Sequence, residues 1–211
     1  MVDDRYPQLL RCALGWLVAA LLLVAPGPSA RADSSGFAGP EGWQTLCTQA
    51  PSYCNREAPA PGEVLDAAAL HELERINSAV NSAMVPQLEP EGRDRWEIEP
   101  AAGDCEDYAL TKKHRLLATG WPRERLRFAT VTTESDEYHA VLFVDGPSGP
   151  LVLDNRFEEA LPWERLEAEG YRLIAVEGAG PDGSWSLSTF GTVLAMLVGE
   201  ERRGDRGRRG G

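Results

Sequence analysis

Gly103-Asp104-Cys105-Glu106-Asp107-Tyr108-Ala109-Leu110 sets a single cysteine at the opening of a segment with helical character. Asp104 suits an N-cap, Tyr108, Leu110, Leu116 and Leu117 supply apolar positions, and Gly120 and Pro122 supply the stop. Cys105 then falls in the first helical turn, where the helix dipole favours a thiolate. Beyond Pro122 the hydrophobic period changes to two. Leu126–Thr133, Tyr138–Val144, Leu151–Asp154 and Tyr171–Val176 read as strands. Helices followed by antiparallel strands make the fold class α+β.

Upstream, apolar residues recur at three to four positions from about Val64 to Met84 (Leu65, Ala69, Leu73, Ile76, Val80, Met84), which predicts a helix with a core-facing stripe. Val85 to Ala102 holds Pro86, Pro90 and Pro100 among many charges and reads as a loop. Asp33 to Gly62 is rich in Gly, Pro and Ala without a periodic pattern, and reads as an extended N-terminal arm. Residues 1–32 have the pattern of a secretory signal: Arg5 and Arg11, an apolar run from Ala13 to Ala25, and Ala30-Arg31-Ala32 at the cleavage position. The rival reading is a membrane anchor, but the run is shorter than the ~20 residues a spanning helix needs. Residues 200–211 form a Gly/Arg tail with the composition of a disordered end.

Without the signal the chain carries 18 Lys+Arg against 31 Asp+Glu. So acidic a chain does not suit a nucleic acid or an anionic membrane as partner, since both need basic patches. The expected export places Cys47, Cys54 and Cys105 in a disulfide-permitting compartment, with one thiol left over. Cys47 and Cys54 flank a short Pro-containing loop that a bridge can staple, which leaves Cys105 free. The other reading, a buried inert Cys105, sits poorly with three acids and a glycine around it.

A thiol nucleophile needs a base, and the base needs an orienting acceptor. His71 and His114 fall on polar helix positions and read as solvated. His139 differs, because its strand runs into Asp145-Gly146-Pro147-Ser148, a strong turn signal. A two-residue loop puts His139 opposite Asp154, and a four-residue loop leaves Asp154 a diagonal neighbour. In either register a carboxylate can reach the imidazole. No Gly-rich phosphate loop, CxxC, HExxH or EF-hand pattern occurs.

Gly-Asp-Cys-Glu-Asp-Tyr-Ala at 103–109, His139 in Tyr-His-Ala-Val, Asp154 in Leu-Asp-Asn, Asn77 and Asn81, and Asp94-Arg-Trp96 together resemble the bacterial transglutaminase-like cysteine peptidases of the LapG-like kind. The resemblance runs from about Trp43 to Tyr171, and residues 63–199 would form the peptidase domain. It implies a papain-like, transglutaminase-like core with Cys105 as nucleophile, His139 as general base and then acid, and Asp154 as orienter. It also implies calcium, Ca2+, held by Asp104 and Glu106; hard oxygen ligands suit that ion, and a cation would offset the acids that by themselves oppose a thiolate. Three solvated acids in a first helical turn are the plainer reading of the same residues. As partners it implies a protein substrate such as a large surface adhesin, and an inner-membrane LapD-like receptor met through an exposed Trp96. A Trp96 packed beneath the loop is the alternative. Two further functions share the residues: transglutaminase-type acyl transfer to an amine on the same triad, and a catalytically idle calcium-dependent binding protein.

Overall fold

Two apolar seven-residue segments joined by a tight connection make the centre of the structure. β3 (Leu126–Thr132) and β4 (Tyr138–Val144) pair antiparallel over their full length, from Leu126 opposite Val144 to Thr132 opposite Tyr138. Asp136 turns the chain between them at φ 59°, a conformation that Asp tolerates. The computed structural model, in which residues 37–54, 64–90, 93–178 and 184–192 are described, extends the pair into a larger sheet. All of these residues lie in the unit Ser34–Gly211. The expected signal and the 200–211 tail fall outside the described residues, and among the described ones no helix is long and apolar enough to cross a membrane.

β5 (Leu151–Leu153) and β6 (Leu161–Pro162) add beyond β4, while β7 (Arg172–Val176) and β8 (Ser186–Leu187) add beyond β3. The six-stranded order is β6-β5-β4-β3-β7-β8, antiparallel throughout. Alternation sends successive side chains to opposite faces. On one face Leu126, Phe128, Leu142 and Val144 pack with Leu73, Ile76 and Val80 of α2 (Ala67–Ala83) and Leu110 and Leu116 of α3 (Cys105–Ala118). On the other, Val131, Val141, Phe143 and Val152 meet Tyr171 and Leu166 of α4 (Trp163–Ala168). This is the expected α+β arrangement, helices packed on an antiparallel sheet. Asp66 caps α2 by accepting from the Ala69 N–H at 2.8 Å, and Gly120, at φ 94°, follows the end of α3.

The N-terminal segment corrects the sequence reading. In place of an extended arm, Glu41–Gln49 is helix α1, which buries Trp43, Leu46 and Cys47 on one side. Spacings of three and four residues made that face, but two turns flanked by Gly and Pro leave little periodicity to detect. Cys47 and Cys54 form the expected disulfide, with Cα atoms 5.7 Å apart. The segment read as a loop from Val85 to Ala102 also contains regular structure: β1 (Val85–Pro86) runs parallel to β2 (Ala102–Gly103), which draws this segment against the entrance to α3.

One ion pair ties the layers together. Lys113 of α3 and Glu177 after β7 are both fully buried, with Nζ 3.0 Å from Oε2. Glu177 also accepts from Trp43 Nε1 of α1 at 3.1 Å and from the Phe128 N–H of β3 at 3.0 Å. Lys113 lies 4.3 Å from the Phe128 ring centroid, and burial lowers its pKa against the pull of Glu177. Breaking such a pair strands a charge, a loss of about 3–5 kcal/mol. Glu177→Gln is therefore expected to lower the urea midpoint strongly, and Lys113→Met added to it should recover part of the loss. Equal midpoints for Glu177→Gln and wild type would refute this account.

Candidate active site

Cys105 is the first residue of α3, and what precedes it is shaped by close contact. A Cβ on Gly103 would collide with the Asp107 carboxylate, so only glycine fits there. That carboxylate holds the helix entrance, accepting from Glu97 N–H at 2.6 Å and from Asp104 N–H at 3.4 Å. The half-buried Cys105 is the free thiol among the described residues. Its Sγ accepts a hydrogen bond from the Ala140 N–H at 3.3 Å. β5 stops at Leu153, opposite Leu142, so the start of β4 runs past the end of its neighbour and that N–H faces the sulfur.

The strand register brings the other two residues together. Val144 pairs with Leu151 and Leu142 with Leu153, the longer of the two loops considered, which makes Asp154 a diagonal neighbour of His139. Nε2 of His139 lies 2.8 Å from Asp154 Oδ1. Asp154 is 1% exposed. Its carboxylate also accepts from the Arg156 N–H at 2.9 Å and the Tyr171 hydroxyl at 3.0 Å. Burial alone would raise its pKa, but the charge and hydrogen bond of His139, the Arg156 N–H and the charge of Lys112 hold it down to about 2. Asn81 of α2 anchors the main chain here, donating to the Asp154 carbonyl at 3.0 Å and the Phe157 carbonyl at 2.8 Å. Asn77 donates to the Phe157 and Glu158 carbonyls at 2.8 and 3.0 Å.

The thiol's own proton goes elsewhere: Sγ donates to Glu106 Oε2 at 3.1 Å. Burial first, and then the charge of Glu106, push the Cys105 thiol well above its ordinary range. Burial and the charge of Asp104 push Glu106 up to about 8, and burial raises Asp104. Two carboxylates crowded in this way are a costly arrangement unless a proton or a cation joins them. Oδ1 of Asp104 is buried and accepts no hydrogen bond from the described residues. An acceptor without a donor beside a second hard-oxygen group fits a divalent cation such as calcium. Among the described residues no three His, Cys, Asp or Glu side chains gather as a metal cluster.

Trp96 corrects an expectation. It is 9% exposed, packs edge-to-face on Phe128 with centroids 4.8 Å apart, and donates from Nε1 to Asp94 Oδ1 at 2.9 Å. Asp94 in turn accepts from the Gly42 N–H of α1 at 2.6 Å. An indole so placed holds the 93–104 segment on the core and presents little surface to a receptor. His71 is exposed as expected, whereas His114 is half-buried and bonded through Nδ1 to Tyr53 Oη at 2.8 Å. The depression beside it, lined by Tyr53, His114 and Leu117, lies at the far end of α3 from Cys105.

Lys112 and Tyr171 were not singled out from sequence. Lys112 is fully buried, 5.9 Å from the Tyr108 ring centroid. The signal for it was its spacing: Cys105, Tyr108, Lys112 and Leu116 share one helix face, so a lysine occupied the buried stripe. Burial lowers the Lys112 pKa to about 7 against the attraction of Asp154.

Residues 34–188 match the family described as bacterial transglutaminase-like cysteine proteinase BTLCP. Among solved structures the chain is similar to Legionella pneumophila LapG in calcium-bound form, at 26% identity, TM-score 0.45, over 50% of this chain and 63% of that one. The EGTA-treated form of that protein matches at 25% identity and TM-score 0.45, over 56% of this chain and 67% of that one. A third LapG structure gives 25% identity and TM-score 0.47, over 56% and 68%. The chain thus spans just under two thirds of the length of the calcium-bound relative. No curated protein matches it.

The buried lysine makes stability depend on pH. A folded-state pKa of about 7 lies below the ~10.4 of a free lysine, so the unfolded chain binds more protons between those values and stability rises with pH across that window. Lys112→Met is expected to lessen that rise, read as the urea midpoint from pH 7 to 10, with Lys113, whose pKa burial also lowers, supplying the remainder. A variant that keeps the wild-type slope would show that Lys112 does not titrate as its burial requires.

Proposed function

From the premise that the chain belongs to the bacterial transglutaminase-like cysteine proteinases, we propose that it is an exported endopeptidase that cuts a protein substrate through a thioester on Cys105. The observation that carries this reading is the 2.8 Å contact between His139 and Asp154, made beside the helix start that holds a free thiol. Asp154 engages Nε2 of His139 and leaves Nδ1 for the thiol proton. The reading requires the Cys105 side chain to turn away from Glu106 so that its S–H reaches that nitrogen.

In the reaction, His139 Nδ1 takes the proton as Sγ attacks the scissile carbonyl carbon. The Ala140 N–H steadies the sulfur, and the Cys105 N–H at the dipole-positive end of α3 faces the oxyanion. Collapse expels the amine, which takes the proton from His139 and leaves the acyl group on sulfur. His139 then draws a proton from water, hydroxide adds to the thioester, and collapse expels Sγ, which takes the proton back from His139 as the carboxylic acid product departs. Asp154 stays ionised throughout, stabilising the imidazolium.

Asp104 and Glu106 are the residues that would hold calcium. A bound cation would neutralise the two carboxylates that oppose a thiolate and would withdraw Glu106 from the thiol. Export is supported by the signal-like pattern at 1–32 and by the Cys47–Cys54 disulfide. The family resemblance supports a cell-surface substrate such as a large adhesin and regulation by an inner-membrane LapD-like receptor; the buried position of Trp96 does not favour that residue as the contact.

Wild type is expected to cleave an adhesin N-terminal fragment, with activity lost in Cys105→Ala and sharply reduced by EGTA. Cleavage by Cys105→Ala would refute the mechanism, and amine incorporation without cleavage would make the protein an acyltransferase. Calcium chloride should raise the melting temperature of the wild type and not of Asp104→Asn/Glu106→Gln. Since Glu106 must lose its proton to serve as a ligand, the apparent affinity should rise with pH up to about 8. An identical melting shift in the double variant would place the ion elsewhere.

A further inference from the structure

Behind Asp154 lies a chain of hydrogen bonds whose direction is fixed by chemistry. Arg156 Nη1 lies 2.8 Å from the Tyr171 hydroxyl oxygen and 2.9 Å from Glu134 Oε2, and Nη2 bonds Glu134 Oε1. A guanidinium only donates, so the tyrosine oxygen must be the acceptor there. The Tyr171 hydrogen is then committed to its other partner, Asp154 Oδ2, at 3.0 Å. Tyr171 is 1% exposed, which leaves water little access to compete. The Gly170 backbone packs against Glu134, since a Cβ on Gly170 would lie 3.2 Å from the Glu134 Cβ, so the turn before β7 and the turn before β4 are held side by side.

Asp154 is thereby kept an acceptor on both oxygens, Oδ2 from Tyr171 and Oδ1 from the Arg156 N–H and His139. A carboxylate that can only accept requires the hydrogen of the neutral imidazole to sit on Nε2. We propose that Tyr171, aimed by Arg156 and Glu134, is a positioning residue that fixes the tautomer of His139, holding its hydrogen on Nε2 and its lone pair on Nδ1. Without the hydroxyl, Oδ2 loses its donor in a buried site, and the carboxyl group gains reason to take a proton and present it to Nε2. That inverted pair would place the imidazole hydrogen on Nδ1 and abolish the base. The inference rests on the reading of His139 Nδ1 as acceptor of the thiol proton.

The test is the nitrogen-15 spectrum of the ring of His139 in the full chain at a pH where imidazoles are neutral, assigned with His71→Gln and His114→Gln. Wild type is expected to show Nε2–H alone. Tyr171→Phe is expected to lose that single signature and show Nδ1–H as well, while Glu134→Gln, which loosens Arg156 without touching the core, shifts the same way to a smaller extent. A merely structural Tyr171 would lower the melting temperature and leave the tautomer unchanged, and a wild-type signature in Tyr171→Phe overturns the proposal. If Tyr171→Phe does not fold, Arg156→Met decides in its place, with an unchanged Nε2–H signature again overturning the proposal. Hydrogen on Nδ1 in the wild type would instead refute the base assignment, as would Cys105→Ala that still cleaves.

Discussion

A carboxylate at 1% exposure persists as an ion only where its oxygens are supplied with donors. Asp154 meets that condition through groups from separate parts of the chain: an imidazole on β4, a main-chain N–H two residues on, and a phenol before β7, with the Lys112 charge on α3 adding its attraction. Each of these has to be in place before the next makes sense. The register of β4 on β5 makes His139 a diagonal neighbour of Asp154, and the amides of Asn77 and Asn81 on α2 decide where the backbone after Asp154 runs. The helical layer and the sheet are thus joined at the charge itself.

The same logic sets the thiol apart. Asp154 is surrounded by donors, whereas Cys105 stands next to acids that burial has already made reluctant to ionise. The sulfur receives one N–H and gives its proton to Glu106, so the helix start alone does not make a thiolate here. Dipole and charge act in opposite directions, and at this distance the carboxylates prevail. A cation between Asp104 and Glu106 is the economical way to reverse that balance, which makes ion binding and nucleophilicity one question.

Sequence went furthest where a local signal coincided with a tertiary one. The two-residue period of 138–144 and the turn at 145–148 were enough to bring His139 near Asp154 in either register, and the glycine, acid and cysteine of 103–105 marked the start of α3. It failed where burial came from distant residues. Nothing near Lys113 in sequence marks it as buried, since its partner Glu177 stands sixty-four residues away. The exposure of Trp96 was implied by the resemblance alone, with packing beneath the loop as the alternative, and Phe128 lies against it. The helix α1 escaped because its buried face is built from contacts with Glu177 and Trp185 that no window of sequence contains.

Phe37 forms an isolated bridge with Trp185, its N–H donating to the Trp185 carbonyl at 3.1 Å, and the Trp185 ring stands edge-on to Trp43 at 5.6 Å. The first described residue of the unit is therefore stitched to the residue that leads into β8, before α1 begins. Any maturation that trims the amino end has a hard limit at this point. A cut downstream of Phe37 would unpick the seam and reach the indole that Glu177 holds, whereas a cut after Ala32 leaves the seam whole.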